Sequence, residues 1–459
     1  MDLGFDWEFP KPMKEVLMKT KELSELKVAY LLVSTLTASP RNARTHSKHQ
    51  IRRIAASMQE FGFLSPVLID RKNTIIAGHA RVDAAKLSGI ERIPTIRVEN
   101  LTEDQIRAYI LADNRLAEKA GWDNSILAIE LQHLLTINDS FDITITGFET
   151  PEIDLILQEA RAEQDLDDVV DNDTTAQPVT QRGDLWQLRK HRLLCGNALQ
   201  EISYDTLMAG KKAGVVFVDP PYNVAIEGNV CGKGSVHHRE FAMASGEMNE
   251  AEFVAFLSTG FRLLARHSTS GSVHFVCMDW RHIGELLAAG RQIYDDVLNV
   301  CVWVKDNGGM GSFYRSRHEF VFVFRNGKGP HRNNVMLGQY KRNRANVWEY
   351  PGTNTLAKQG EEGNLPALHP TIKPVALVAD ALLDCSARSD VVLDSFLGSG
   401  STLLAAERIG RICYGIELDP LYVDVAIRRW QQQTGERAIH TVSGKCFDEK
   451  VASEEVSHG

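Results

Sequence analysis

In the stretch 391-VVLDSFLGSGSTLLAAERIG-410 an apolar run ends in Asp394, a short loop carries Gly398 and Gly400, and a helical pattern begins near Ser401. Glycine in such a loop lets a ligand lie against the main chain, and the helix start offers free N–H groups to a carboxylate or phosphate. The next apolar run, 412-ICYGIELDP-420, puts Glu417 at a strand's carboxyl end, where a carboxylate can take the hydroxyls of a ribose. Loop and acid together point to a cofactor with a nucleoside part. No Gly-Lys-Ser/Thr follows, so a phosphate-binding loop of the nucleotide-hydrolysing type is not expected.

Outward from this unit, apolar runs alternate with helical patterns from about 183 to 443: 214-GVVFVD-219, 272-SVHFVC-277, 297-VLNVCVWV-304 and 319-EFVFVF-324. These runs are continuous rather than alternating, which predicts strands covered on both faces and an α/β, doubly wound sheet. The first of them continues as 215-VVFVDPPYN-223. Consecutive prolines fix φ and remove two donors, leaving a stiff projection with outward carbonyls. Asp219 and the Pro220 carbonyl can accept both hydrogens of an exocyclic amine, while the Tyr222 ring offers a stacking face. Such a set would clamp a planar amino-base.

Asp219-Pro220-Pro221-Tyr222, followed by His369-Pro370-Thr371-Ile372-Lys373-Pro374 and then Asp394-Ser395-Phe396-Leu397-Gly398-Ser399-Gly400, resembles the S-adenosylmethionine-dependent amino-methyltransferases of DNA. The motif order, catalytic before cofactor loop, is that of their circularly permuted β class. The resemblance covers about 183 to 443, within a methyltransferase domain expected over 183–445, and includes the hairpin 183-GDLWQLRKHRLLCGNAL-199. It implies a Rossmann-like fold, double-stranded DNA as partner and methyl transfer to a flipped base, as in restriction–modification. Adenine N6 is the favoured target, because Asp rather than Ser opens the Pro-Pro motif; cytosine N4 offers the same chemical group. Carried over, Asp219, Pro220, Pro221 and Tyr222 hold the base. Asp394, Phe396, Gly398, Gly400, Ser401 and Glu417 surround S-adenosylmethionine, with Thr371 and Lys373 near its methionine end. Asn197 stands where relatives carry Asp, and Ile372 where they carry Gln. A degenerate, non-catalytic DNA-binding fold is the competing reading, and the intact motifs oppose it.

The N-terminal part predicts a compact α+β unit. A helix is capped at Ser47 with Gln50 three residues later and closed by Gly62. Short β runs lie at 66-PVLID-70, 74-TIIA-77 and 93-IPTIRV-98, with helices over 78-GHARVDAAKLSG-89 and from Thr102. Gly78-His79-Ala80-Arg81 with 110-ILADNRLAE-118 resembles the N-terminal domain of ParB-type partition proteins over residues 28–120. That resemblance implies a nucleotide or phosphate contact at Gly78 and Arg81 and a DNA-associated accessory role. No metal-carboxylate cluster supports a nuclease. Residues 121–161 read as a helical extension, 162–182 as an acidic linker and 446–459 as a polar tail.

The chain has 459 residues, 43% apolar and 24% charged, with a net charge of −9, which describes a globular protein of two or three units. The longest uncharged stretch, Val28 to Pro40, is too short to span a bilayer. The acidic N-terminus lacks the positive charge of a secretory signal. A cytoplasmic protein is the expectation. Seven cysteines at least 24 residues apart suggest neither disulfide framework nor zinc ribbon, and no metal is expected. Residues 301–350 hold nine Lys and Arg against three acids, a local +6. Within them Lys305, Arg315 and Arg317 are the expected DNA contacts.

Overall fold

A computed structural model describes residues 26–137, 142–162, 178–224, 244–306, 308, 313–338, 342–352 and 372–451. Two compact units, 1–149 and 150–459, divide the chain. Of the predicted site residues, Thr371 lies outside the described residues.

The first unit runs β1 (Val28–Leu32), α1 (Lys48–Phe61), β2 (Val67–Ile69), β3 (Ile75–Ala77), α2 (His79–Leu87), β4 (Arg92–Arg97), α3 (Glu103–Lys119) and α4 (Asn124–Ile137). Its four strands form one sheet in the order β1-β4-β2-β3. Val67, Ile69, Ile75, Val82, Ala85 and Ile93 make the core beneath α2, and Ala55 and Met58 of α1 pack on Ala84. Ser47 Oγ accepts the Gln50 N–H as the sequence predicts, but the Gln50 side chain turns to His46 instead of closing the box. Thr102 and Gln105 do form the reciprocal capping box. Gly78 has φ +104°, a left-handed conformation that frees the chain to turn from β3 into α2.

The second unit runs α5 (Thr150–Ala162), β5 (Leu185–Leu188), β6 (His191–Cys195), α6 (Glu201–Met208), β7 (Ala213–Val218), α7 (Glu250–Arg266), β8 (Ser268–Met278), α8 (Ile283–Ile293), β9 (Asp296–Val304), β10 (His318–Asn326), β11 (Val347–Glu349), α9 (Val375–Cys385), β12 (Val391–Asp394), α10 (Ser401–Arg408), β13 (Ile412–Glu417), α11 (Pro420–Thr434) and β14 (Ile439–His440). One ten-stranded sheet has the order β11-β9-β10-β8-β7-β12-β13-β6-β5-β14. Its centre, β8-β7-β12-β13-β6, is parallel, and β10 joins it antiparallel to β8.

The continuous apolar runs split by period two, as a sheet covered on both faces requires. Val215, Phe217, Phe275 and Val392 face α9, α10 and α11, whereas Val216, Val218, Val276 and Leu393 face α6, α7 and α8. The run 297–304 departs from that expectation. In β9, Cys301 and Trp303 are buried while Leu298, Val300 and Val302 are only half-buried, because the strand lies near the sheet edge, where among the described residues only the three-residue β11 lies beyond it.

Three predicted boundaries move. In the extension 121–161, α5 belongs to the second unit: its buried Asp154 receives Arg388 at 3.0 Å and Arg411 at 2.8 Å. The end of the acidic linker is part of the core, since the N–H groups of Val179 and Thr180 donate to buried Asp424 of α11 at 2.7 and 3.1 Å. The tail from 446 is not loose where it begins. Cys446 and Phe447 are buried, Phe447 packs on Trp186, and Lys450 pairs with Asp184 at 3.1 Å.

Candidate active site

β7 and β12 are adjacent and parallel, yet the chain leaves them in opposite directions, β7 toward β8 and β12 toward β13. At such a switch point the loops beyond the carboxyl ends part and leave a crevice. Asp219 follows β7, Asp394 ends β12 and Glu417 ends β13, so the three acids line one edge of the sheet.

On the β12 side, Asp394 Oδ1 accepts the Phe396 N–H at 3.0 Å and shapes the loop. Gly398 (φ +54°) and Gly400 (φ +90°) are both left-handed, and a Cβ on Gly400 would lie 2.9 Å from that of Ala426. Only glycine fits there. Buried Ser401 then starts α10. Glu417 Oε2 accepts the Gly398 N–H and Oε1 the Asp419 N–H, both at 2.8 Å. A carboxylate has about four acceptor positions, so these two bonds leave acceptor capacity for a hydroxyl. Burial lifts Glu417 to about 6 against these amide bonds, and lifts Asp394 to about 7. The Phe396 ring rests against Phe256, centroids 6.1 Å apart. Gly196 donates its N–H to the Glu417 carbonyl at 2.9 Å, and the neighbouring Asn197 side chain accepts from Leu199 N–H, shaping the turn after β6.

On the β7 side, Tyr222 Oη donates to Asp219 Oδ1 at 2.6 Å, while Lys373 Nζ lies 2.5 Å from Asp219 Oδ2. Pro220 is buried and Pro221 half-buried between them. Asn223, at φ +54°, locks the exit of the motif: its side chain donates to the Met248 carbonyl and accepts from Gly246 and Met248 N–H. The resemblance implies a place for Lys373 near the methionine end of the cofactor; its ammonium stands on the base motif, touching Asp219, Tyr222 Oη at 3.1 Å and Glu319 at 3.0 Å.

Glu319 at the start of β10 is the residue that sequence reasoning missed. It pairs with both Lys373 and Lys305, and Tyr222 Oη is 3.2 Å from its Oε2. Burial would raise both acids. For Glu319 the two ammonium groups win and hold it low, whereas Asp219, also facing Glu319, stays raised. Lys305 therefore changes role. Grouped by sequence with the DNA contacts, it turns inward to Glu319 and lies 4.6 Å from the Trp303 ring centre, because its partner acid sits on the facing strand.

Other cations of the 301–350 stretch are also neutralised from outside it. Arg342 and Arg344 reach Asp380 and Asp384 of α9, and Arg325 pairs with Asp296. Arg315 and Arg317 remain exposed and donate to the Gly308 and Lys305 carbonyls at 2.7 Å. In the first unit, Arg81 donates to the Ser65 and Pro66 carbonyls at 2.6 and 2.9 Å beneath the Gly78 turn.

The family profile described as DNA methylase, of the N6/N4 methyltransferase type, matches residues 214–428. The ParB N-terminal domain profile matches residues 17–115. The chain is an N6/N4-type DNA methylase with an N-terminal ParB domain. A third profile, the ParB-methyltransferase HTH domain, matches 125–182 of this methylase, across the stretch that sequence reading divided into extension and linker. The ParB-like nuclease domain-containing protein YnaK of Escherichia coli (strain K12) is 42% identical over 81 residues, 18% of this chain and 93% of YnaK. The type II methyltransferase M.HpaI of Haemophilus parainfluenzae is 23% identical over 258 residues, 52% of this chain and 73% of its own. M2.MboI of Moraxella bovis is 25% identical over 235 residues, 48% and 81%. Among solved structures, the M1.HpyAVI–SAM complex aligns with TM-score 0.36 and 20% identity, over 52% of this chain and 98% of that one. The cytosine-N4-specific PvuII methyltransferase aligns with TM-score 0.39 and 15% identity, over 55% and 88%. The methyl donor of the DNA methylase family is S-adenosylmethionine, and DNA is its substrate. Among the described residues no helix is long and apolar enough to cross a membrane.

Proposed function

We propose that this DNA methylase acts on adenine, placing the methyl group on N6 of a base flipped out of duplex DNA. The observation that carries the reading is the Asp219 carboxylate, fixed at the carboxyl end of β7 by Tyr222 and Lys373 and facing the cofactor loop across the switch point. Asp at the head of the Pro-Pro motif is the residue that favours adenine.

The residues at β12 and β13 fit the cofactor. Glu417 keeps acceptor capacity toward the ribose hydroxyls, Gly398 and Gly400 keep the main chain bare, and Phe396 supplies an apolar wall beside them. Asn197 and Ser401 flank this cradle, and buried Asp394 offers a counter-charge. When bound, S-adenosylmethionine supplies a sulfonium-activated methyl group.

Asp219 and the Pro220 carbonyl would accept the two amine hydrogens of the base. An amino nitrogen conjugated with its ring is a poor nucleophile, and these bonds favour the pyramidal geometry in which its lone pair is available. Asp219 and Pro220 would thus present the lone pair to the sulfonium methyl, the N–C bond forming at the expense of the S–C bond, whose electrons would stay on sulfur. The nitrogen then sheds a proton, and Asp219, raised by burial, is suited to take it. Fixed geometry supplies most of the acceleration. Extrusion costs a few kcal/mol, offset in part by stacking on Tyr222.

The ParB domain takes an accessory role toward DNA in this reading, with Gly78 and Arg81 contacting a nucleotide or phosphate. Calorimetry with nucleoside triphosphates should lose its signal in Arg81→Ala. The main reading is tested by digesting DNA methylated by the purified protein and identifying the modified nucleoside by mass spectrometry. N6-methyladenine is the expected product. N4-methylcytosine would overturn the choice of base, and no methylation at all would favour a DNA-binding role alone.

A further inference from the structure

The hairpin β9–β10 serves the base site with one end and reaches past it with the other. At its neck the Lys305 N–H donates to the Arg317 carbonyl at 2.9 Å, and Arg317 Nε donates back to the Lys305 carbonyl. Below the neck, Trp303, Lys305 and Glu319 belong to the cluster around Asp219. Beyond it, Phe313 and Tyr314 are 87% and 81% exposed, edge to face with centroids 4.5 Å apart. Arg315 follows them, exposed, its guanidinium held on the Gly308 carbonyl.

Two large rings almost wholly in water, on a loop with arginines, are not explained by the packing of this domain. Tyr314 is five residues from Glu319, an upper limit of about 17 Å of chain, so the rings lie within reach of a duplex docked on the base site. Continuity with that site and the positive charge beside them select one partner, duplex DNA. A flipped base leaves a gap in the stack, and aromatic or aliphatic side chains can enter such gaps. We propose that Phe313 and Tyr314 form a wedge that occupies the space left by the extruded base, with Arg315 and Arg317 on the adjoining phosphates. This rests on methyl transfer to a flipped base but not on which base it is.

The test uses the full chain and a duplex carrying its methylated sequence, identified by sequencing modified bases in DNA from an expressing strain. Wild-type single-turnover methylation of that duplex first establishes the transfer itself. The variant Phe313→Ala/Tyr314→Ala should then slow transfer at least tenfold on the fully paired duplex. It should slow transfer less than threefold when the target base faces an abasic residue, where little pairing opposes extrusion. Affinity for S-adenosylmethionine should be unchanged, and Phe313→Tyr/Tyr314→Phe should keep the wild-type ratio between the duplexes. Equal losses on both duplexes, or none on either, would overturn the wedge. So would a wild-type dimer in sedimentation that the double variant abolishes together with an equal loss on both duplexes, since the rings would then serve self-association.

Discussion

Glu319 shows what a single buried carboxylate can set. It shares Lys373 with Asp219 and holds Lys305 on its other side, so two acids and two bases balance in the base site. Glu319→Gln removes one negative charge from this set. Asp219 faces Lys373, Glu319, Tyr222, Cys277 and Asp394; Glu319 is among the groups that raise it, after burial. Without that charge its folded value falls and Lys373 grips it more tightly. The acid limb of the kcat–pH profile should therefore move to lower pH, with the plateau reduced about tenfold, on the order of 1.4 kcal/mol. Affinity for S-adenosylmethionine should stay within about twofold of wild type by calorimetry, a factor worth less than about 0.5 kcal/mol. An unmoved acid limb would reduce Glu319 to a structural ion pair. Glu417 and Asp394 make a second prediction, since burial lifts them to about 6 and about 7. A cationic cofactor favours their ionised forms, so binding must expel whatever protons they carry. Affinity should rise from acid pH and level off above about 7, the Asp394 value; a flat titration series would exclude both from the cofactor site. Asp219 and Glu417 were legible because each ends an apolar run. Glu319 begins one, reads as an ordinary polar strand start, and meets Lys373 only through the fold.

At the scale of elements, the continuous apolar runs announced the strands, and the loop glycines announced the β12–α10 turn. Partners far away in sequence were not legible. Val179 is 245 residues from the Asp424 that receives its N–H, so the acidic stretch gave no sign that its end enters the core. The same holds for α5, whose helical pattern was clear but whose docking depends on Asp154 with Arg388 and Arg411. Arg411 is 2% exposed. Asp154→Ala would leave that guanidinium buried without its carboxylate, a loss of roughly 3–5 kcal/mol for a broken buried pair. Urea unfolding should show the drop as a lower midpoint with the slope preserved. A change below about 1 kcal/mol, the range of exposed pairs, would mean that water replaces the carboxylate.

For the molecule as a whole, the distribution of charge decides how an acidic protein meets DNA, and here sequence counting overstated the field. The local +6 of residues 301–350, which already counts Glu319, shrinks once Asp296, Asp380 and Asp384 are set against Arg325, Arg342 and Arg344, while Lys305 is spent on Glu319. Counting along the chain could not include three of these acids, which lie outside the stretch. Arg315 and Arg317 are both exposed, and main-chain carbonyls orient them. If they neutralise two phosphates, Arg315→Ala/Arg317→Ala should reduce the magnitude of the slope of log affinity against log salt by roughly 2, at about 0.9 for each phosphate. Lys305→Ala should leave that slope alone while lowering turnover, because its charge is spent on Glu319 inside the site. The comparison separates surface from interior on one gel-shift series. Loss of affinity for one sequence only, with an unaltered slope, would instead assign the arginines to base edges. An unchanged slope and affinity in the double variant would move the DNA surface elsewhere, with the N-terminal cations Arg41, Arg44, Lys48, Arg52 and Arg53 the next to be replaced. Of these, Arg44 already pairs with Glu118 and Arg53 with Glu149, so Arg41, Lys48 and Arg52 would be changed first.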